Sequence, residues 1–196
     1  SDDASTGEWE INSPIGSFSD PNDTSTCVAP YYQHTPGGFS CALTQRSSST
    51  TAGIGERDVD DGVTTLETPA LDLSSMLNPV ISYHRWYINN PPTGANPGND
   101  WWVVKISGDG NTWVPVEATK ISDKRWRRFA FRVADYITPT STVQLRFHAS
   151  DSLWPGLGLT FDGGSLVEAG VDDIEIWEQV AQSVQFTTSD VLCNGA

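Results

Sequence analysis

The amino-acid sequence predicts an all-β protein built as an antiparallel β-sandwich. Turn-forming residues recur at short spacing, and the runs between them are rich in Val, Ile, Thr, Phe, Tyr and Trp. No segment shows a sustained helical period of apolar residues. The chain has 196 residues, 37% of them hydrophobic, which is enough to bury a full core and suits one large sandwich better than two small domains.

The individual strands are predicted from the turns that bound them and from their alternation. In the segment 126–133 the residues Phe129, Phe131 and Val133 share one face, and Arg128 and Arg132 lie on the other. The segment 143–148 alternates in the same way, which predicts one packed and one solvated face, as in an antiparallel sandwich. The turns are expected at 36–38, 61–62, 78–79, 89–98, 108–110 and 162–164.

The expected organisation is one domain with two short flanking segments. Residues 1–7 are predicted to form an N-terminal tail, residues 8–178 the sandwich domain, and residues 179–196 a C-terminal tail. Within this last segment, residues 183–187 have the composition of one more strand.

Six motifs in a fixed order carry a family resemblance. They are Asp58–Leu66, Thr68–Ser74, Ser82–Tyr87, Ser107–Trp113, Phe131–Tyr136 and Ser165–Trp177. Together they resemble the MAM-like jelly-roll β-sandwich modules that are appended to secreted bacterial peptidases and glycan-active enzymes. The resemblance covers most of residues 8–178, with Asp61 standing where relatives usually have a glycine. It implies jelly-roll topology and a non-catalytic role in binding or adhesion, with extracellular carbohydrate as the first-choice ligand.

The charge of the chain limits its partners. A formal net charge of −14 disfavours nucleic acid and anionic membrane surfaces, because both require a cationic footprint, and divalent cations are the natural counter-charge. No stretch approaches the roughly 20 apolar residues of a membrane-spanning helix.

Carboxylates that run directly into apolar strands predict a structural Ca²⁺ site, since Ca²⁺ is bound by six to eight oxygens on turns and strand ends. Strand alternation places Asp172 on the same side as Ile174 and Ile176, so its carboxylate is expected to point toward the end of the sandwich. Glu10 is a possible additional ligand, and solvated turn residues are the alternative interpretation. The predicted metal ligands are Asp58, Asp60, Asp61, Glu168, Asp172 and Asp173.

Eight tryptophans are many for this length, and exposed aromatic rings are platforms on which β-sandwiches stack sugars. Trp101 and Trp154 are expected to be partly exposed. A polar sheet face beside Trp101, with His148 as a further member, is predicted to contact the ligand. Cross-strand ion pairing of its arginines with Glu67 or Glu117 is the alternative. The predicted ligand-binding residues are Trp101, Trp154, Tyr83, Arg85, Arg128, Arg132 and Arg146.

Cysteine usage favours a secreted protein whose signal peptide has been removed. Cys27 and Cys41 bracket a short Pro/Gly/Tyr loop, where a disulfide would restrict the unfolded chain, and two buried thiols are the alternative. Cys193 is left over near the end of the chain.

No catalytic motif is found, and the three histidines, His34, His84 and His148, are too scattered in sequence to spell a zinc motif. We therefore expect a non-enzyme. A second hypothesis is a self-assembling structural subunit of an extracellular filament or tube, joined by adding the strand within residues 180–192 to the open edge of the next molecule.

Overall fold

The computed structural model describes residues 2–20, 22–89, 97–151 and 165–180. In these ranges nine strands form two antiparallel sheets, which confirms the all-β antiparallel sandwich. The strands are β1 (Trp9–Asn12), β2 (Cys41–Thr44), β3 (Val63–Glu67), β4 (Pro79–Ile88), β5 (Trp102–Ser107), β6 (Val114–Thr119), β7 (Asp123–Arg132), β8 (Gln144–Ser150) and β9 (Glu168–Glu178).

The five-stranded sheet has the order β1-β2-β9-β4-β7, and the four-stranded sheet has the order β3-β8-β5-β6. From β2 onward, most consecutive strands lie in different sheets, so the chain crosses repeatedly between the two layers, as expected for a jelly roll. The predicted additional strand at residues 183–187 lies outside the described residues. No helix in the described ranges is long and apolar enough to cross a membrane.

The main core lies between the two sheets and follows the predicted alternation. Leu145 and Phe147 of β8 face Tyr83 of β4 and Phe131 of β7, while the residues between them in sequence point outward. The phenyl ring of Phe147 meets the edge of Tyr83 with ring centroids 5.0 Å apart, an arrangement that aromatic pairs favour.

A second apolar cluster lies on the outer face of the five-stranded sheet. The connection between β1 and β2, here called the covering segment (residues 13–40), packs over Trp86. The indole N–H of Trp86 donates to the Val28 carbonyl at 2.7 Å, and that of Trp126 donates to the Tyr32 carbonyl at 2.9 Å. Gly170 of β9 is needed beneath this layer, because a Cβ there would lie 2.9 Å from the Trp126 ring. These contacts hold the covering segment against the sheet.

A bulge in β9 changes which side chains face the core. Between the pairs Ser82–Glu175 and His84–Asp172, β9 contains one residue more than β4, and Asp173 adopts a left-handed φ of 49°. Before the bulge Val171 belongs to the core, and after it Ile176 packs there. The side chains of β9 that face the core therefore change from odd-numbered to even-numbered residues at the bulge. Asp172 and Ile176 lie on opposite faces of β9, so the predicted common face is wrong.

Candidate functional site

Carboxylates from separate strands collect at one end of the sandwich. Asp58 precedes β3, Asp151 follows β8 and Glu168 begins β9. They lie at the same end of the sandwich because antiparallel pairing places the start of β3 against the end of β8, and the start of β9 against the end of β4. We call this group the carboxylate end: Asp58, Asp60, Asp61, Asp151 and Glu168.

Short hydrogen bonds hold the carboxylate end together. The Thr6 hydroxyl donates to the Asp58 carbonyl at 2.7 Å and lies 3.1 Å from a carboxylate oxygen of Asp60. Asp61 donates its backbone N–H to the Asp151 carboxylate at 3.2 Å. Asp61 has a φ of 60°, so this position requires a left-handed residue, and aspartate is one of the side chains that tolerate this conformation.

Asp58 and Glu168 are buried without a basic partner. Their exposed fractions are 5% and 2%, and no Lys or Arg in the described residues forms an ion pair with either. Burial, followed by the neighbouring charges of Asp60 and Asp151, raises the pKa of Asp58 to about 7. Burial and the charge of Asp58 also raise the pKa of Glu168 well above its ordinary value, although its carboxylate accepts a hydrogen bond from Thr44 at 3.2 Å. In both groups burial disfavours the ionised form, which a bound cation would stabilise.

Further oxygen donors that the sequence argument missed lie at the same end. Asn89 follows the last residue of β4, which pairs with Glu168, and its buried Oδ1 has no hydrogen-bond partner among the described residues. Its amide nitrogen donates to the Asp100 carbonyl at 2.8 Å. Burial, and the charges of Asp100 and Asp151, raise the pKa of Tyr87 well above its ordinary value. The missed signal is positional, since Asn89 directly follows β4 at this end of the sandwich.

Asp172 and Asp173 do not belong to the carboxylate end, which corrects the predicted six-ligand set. Asp172 is four residues beyond Glu168 along β9, a separation of about 13 Å along a strand. Its carboxylate accepts the backbone N–H of His34 at 2.8 Å, and Asp173 contacts the His34 ring. Glu10 does not belong to the carboxylate end either. Its carboxylate accepts the backbone N–H of Arg46.

Tyr83 and Arg85 lie inside the sandwich and do not form a ligand-binding face. Both contact the Glu117 carboxylate, the tyrosine hydroxyl at 2.6 Å and the guanidinium Nε at 2.8 Å. The Trp102 indole donates to the same carboxylate at 3.0 Å. The alternative of ion pairing with Glu117 is therefore the correct one for Arg85.

The other three arginines of the predicted ligand-binding set do not share one face. They are divided between the two sheets, so the single polar face predicted from the sequence is wrong. On the five-stranded sheet, Arg128 lies over the Trp177 ring at 5.1 Å and Arg132 pairs with Asp135. On the four-stranded sheet, Arg146 pairs with Glu67, as the ion-pairing alternative expected. The physical reason is that β7 and β8 are consecutive strands in different layers.

The outer face of the four-stranded sheet contains an open polar groove of about 340 Å³. Arg146 lies 3.8 Å above the Trp113 ring and donates to Glu67 at 2.5 Å. Trp101 is on this outer face, half-buried, with the Lys120 ammonium 5.1 Å from its ring. Trp154 lies outside the described residues. The groove is lined by Asp2, Thr65, Glu67, Arg146 and His148.

The predicted disulfide is absent. Cys27 and Cys41 are free thiols, both buried in the apolar cluster beneath the covering segment. Burial raises the pKa of each thiol to about 12, so both remain protonated and pack as small apolar side chains. The alternative of two buried thiols is the one observed, and the argument for secretion loses this support.

Comparisons with solved structures find neighbours of low similarity, one of which is described below. No protein-family model matches the chain, and no curated protein matches it. The solved structure of TmCBM61 in complex with β-1,4-galactotriose superimposes with a TM-score of 0.39 at 10% sequence identity. The match covers 88% of this chain and 92% of that chain.

Proposed function

We propose that the chain is a non-catalytic extracellular module that binds carbohydrate in the groove on the outer face of its four-stranded sheet. The observation that carries this proposal is the combination of Trp113 with the paired Arg146 and Glu67 beside an open groove. Sugars present apolar C–H faces and hydroxyl groups together, and sites that bind small polar ligands combine aromatic surface with a few placed polar groups.

The groove offers both donors and acceptors of hydrogen bonds. Arg146 donates, Glu67 accepts, and the Thr65 hydroxyl lies 3.1 Å from Nδ1 of His148. Burial, followed by the charges of Lys105 and Arg146, lowers the pKa of His148 to about 3. A neutral imidazole keeps one donor and one acceptor nitrogen, and Nε2 is buried and has no partner among the described residues. The guanidinium, carboxylate and hydroxyl groups of Arg146, Glu67 and Thr65 suit sugar hydroxyls.

A glycan array followed by affinity electrophoresis tests the proposal. We expect at least one polysaccharide to be retained by the unaltered chain and to be released by Arg146→Ala or Trp113→Ala. Arg132→Ala is the matched control, because it removes an exposed, acid-paired arginine from the other sheet. An empty array that includes acidic polysaccharides, or equal retention by Arg146→Ala, would reject the groove as the site.

We further propose that a structural Ca²⁺ ion binds at the carboxylate end. Support comes from buried carboxylates without a basic partner and from the unpaired Oδ1 of Asn89, because Ca²⁺ binds carboxylate and amide oxygens in such turns. Asp58 and Glu168 would hold the ion, and its charge would remove the cost of ionising them in the interior. The ion would join the loop before β3 to the start of β9.

Calcium titration calorimetry on the chelator-treated protein tests this second proposal independently of sugar. We expect one bound ion, lost in Glu168→Gln and kept in Asp172→Asn, whose carboxylate lies at a different place on β9. Equal calcium binding by the unaltered chain and by Glu168→Gln would refute the site.

A further inference from the structure

Three side chains from three separate elements meet at the margin of the covering segment. His34 comes from that segment, His84 from β4 and Asp173 from the bulge of β9. Their ligand atoms all lie within 4.8 Å of one another. The carboxylate oxygen Oδ2 of Asp173 is 2.6 Å from Nδ1 of His34 and 3.8 Å from Nδ1 of His84. Neither histidine was expected to belong to a site.

The two imidazole rings are aligned with each other. Their centroids are 3.6 Å apart with an angle of 17° between the ring planes, and both Nδ1 atoms face the same carboxylate. In a tetrahedral zinc site with bonds of about 2.0–2.1 Å, ligand atoms are about 3.3–3.4 Å apart. The two observed nitrogen-to-oxygen distances bracket this value, and an ion would be bound once the imidazole rings rotate out of their stacked arrangement so that both Nδ1 lone pairs point at it.

Neighbouring groups hold this cluster in place. The Asp172 carboxylate accepts the backbone N–H groups of His34 and Thr35, and the Thr35 hydroxyl donates to Asp173. Burial acts to raise the pKa of Asp173, but the hydrogen bonds from Thr35 and His34 outweigh it, so the pKa is lowered. Asp173 has its left-handed φ here, at the bulge of β9, which directs its carboxylate toward the two histidines.

One polar atom in the cluster is left unsatisfied. Nδ1 of His84 is buried and has no hydrogen-bond partner among the described residues, because Oδ2 of Asp173 at 3.8 Å is too far away. A buried ring nitrogen without a partner is destabilising unless something else binds it. A metal ion between the rings and the carboxylate would satisfy this nitrogen.

We propose that His34, His84 and Asp173 bind a divalent transition-metal ion, with Zn²⁺ as the best match. Two imidazoles and one carboxylate suit Zn²⁺, whereas Ca²⁺ and Mg²⁺ require oxygen ligands. Three protein ligands leave a fourth position for water or an exogenous ligand. The ion attaches the covering segment to β4 and β9, and this site is separate in place and in ligand type from the carboxylate end.

Zinc binding to the full chain, prepared without a polyhistidine tag and kept in excess Ca²⁺, tests the proposal. We expect one zinc ion per chain by competition with a chromophoric chelator, together with a higher melting temperature. His34→Gln and His84→Gln should each weaken binding by at least about tenfold. Asp135→Asn is the control, because it removes an exposed carboxylate that pairs with Arg132 and lies outside the cluster.

Cobalt provides a readout that does not depend on stability. Co²⁺ in this site should give the visible absorption of a tetrahedral complex containing nitrogen ligands, and Asp173→Asn should change that spectrum even where a histidine variant folds poorly. Tight zinc binding that persists in the double variant His34→Gln/His84→Gln would assign the ion to other groups and overturn the proposal. Failure of the unaltered chain to bind zinc at all would overturn it equally.

Discussion

Buried carboxylates in the core and at the carboxylate end differ in whether the chain supplies a positive charge to compensate them. Glu117 lies in the core with an exposed side-chain fraction of 8%, and it receives hydrogen bonds from Arg85, Tyr83 and Trp102. Asp58 and Glu168 are buried to a similar extent at the carboxylate end, and no described Lys or Arg pairs with them. The first carboxylate is neutralised by the chain itself, and the other two require a proton or an added cation.

This difference separates a structural ion pair from a candidate cation site. A buried charge that has a complete set of partners has no remaining capacity for a ligand, whereas a buried charge without one favours whatever supplies the opposite charge. Raised pKa values at the carboxylate end are the physical sign of this unfilled requirement.

The largest expected effect on stability comes from removing Arg85, the ion-pair partner of Glu117. Arg85→Met should lower the free energy of unfolding by about 3–5 kcal/mol, because it leaves Glu117 as an uncompensated buried charge. Denaturant unfolding should show the same loss with calcium and with chelator. The double variant Arg85→Met/Glu117→Gln should recover much of the stability, and a single-variant loss below about 1 kcal/mol would contradict this account.

The next largest effect is that of Asp58→Asn on the free energy of unfolding, and its sign should depend on whether calcium is present. Asp58→Asn should stabilise the chelated protein, because it removes a charge that is costly to bury. With calcium at 100 times its dissociation constant, the unaltered chain should gain about 2.7 kcal/mol, and the variant should gain less. Thermal unfolding of both proteins in the two conditions measures this, and an unchanged ranking would refute calcium at the carboxylate end.

The dependence of stability on pH should follow the raised pKa of Asp58. Its value rises from 3.8 to about 7 on folding, so the folded state binds more protons in this range and the free energy of unfolding falls as pH increases. The lowered pKa of His148 gives the opposite slope below its ordinary value of 6.5. The difference between the unaltered chain and Asp58→Asn, both in chelator, isolates the contribution of Asp58, and calcium should abolish it.

The smallest effect on stability is expected from reductant, which acts on the buried thiols. These thiols are a third kind of buried titratable group, and they need no charged partner because they stay neutral. Peptide mapping under non-reducing conditions should find Cys27 and Cys41 unbridged, and reductant should leave the melting temperature unchanged. A mapped Cys27–Cys41 disulfide would restore the pairing expected from the sequence.

Strand positions were predictable because alternation reports directly on burial. In β8 the apolar residues Leu145 and Phe147 face the core, as their spacing indicates. The same rule failed in β9, where one inserted residue exchanges the faces and moves Asp172 away from Glu168. A bulge of this kind has no distinct sequence signature here, because aspartate at a left-handed φ is common enough to pass as an ordinary strand residue.

The sequence by itself determined the fold class, the strands in the segments 126–133 and 143–148, and the enrichment of acids beside Val63 and Glu168. Only the tertiary structure decided which polar residues meet. It placed Arg85 against Glu117, separated Arg128 from Arg146, and brought His34 to His84 across 50 residues of chain. The physical reason is that alternation is a local property of a strand, whereas a site depends on which strands become neighbours, and that is settled by packing of the whole core.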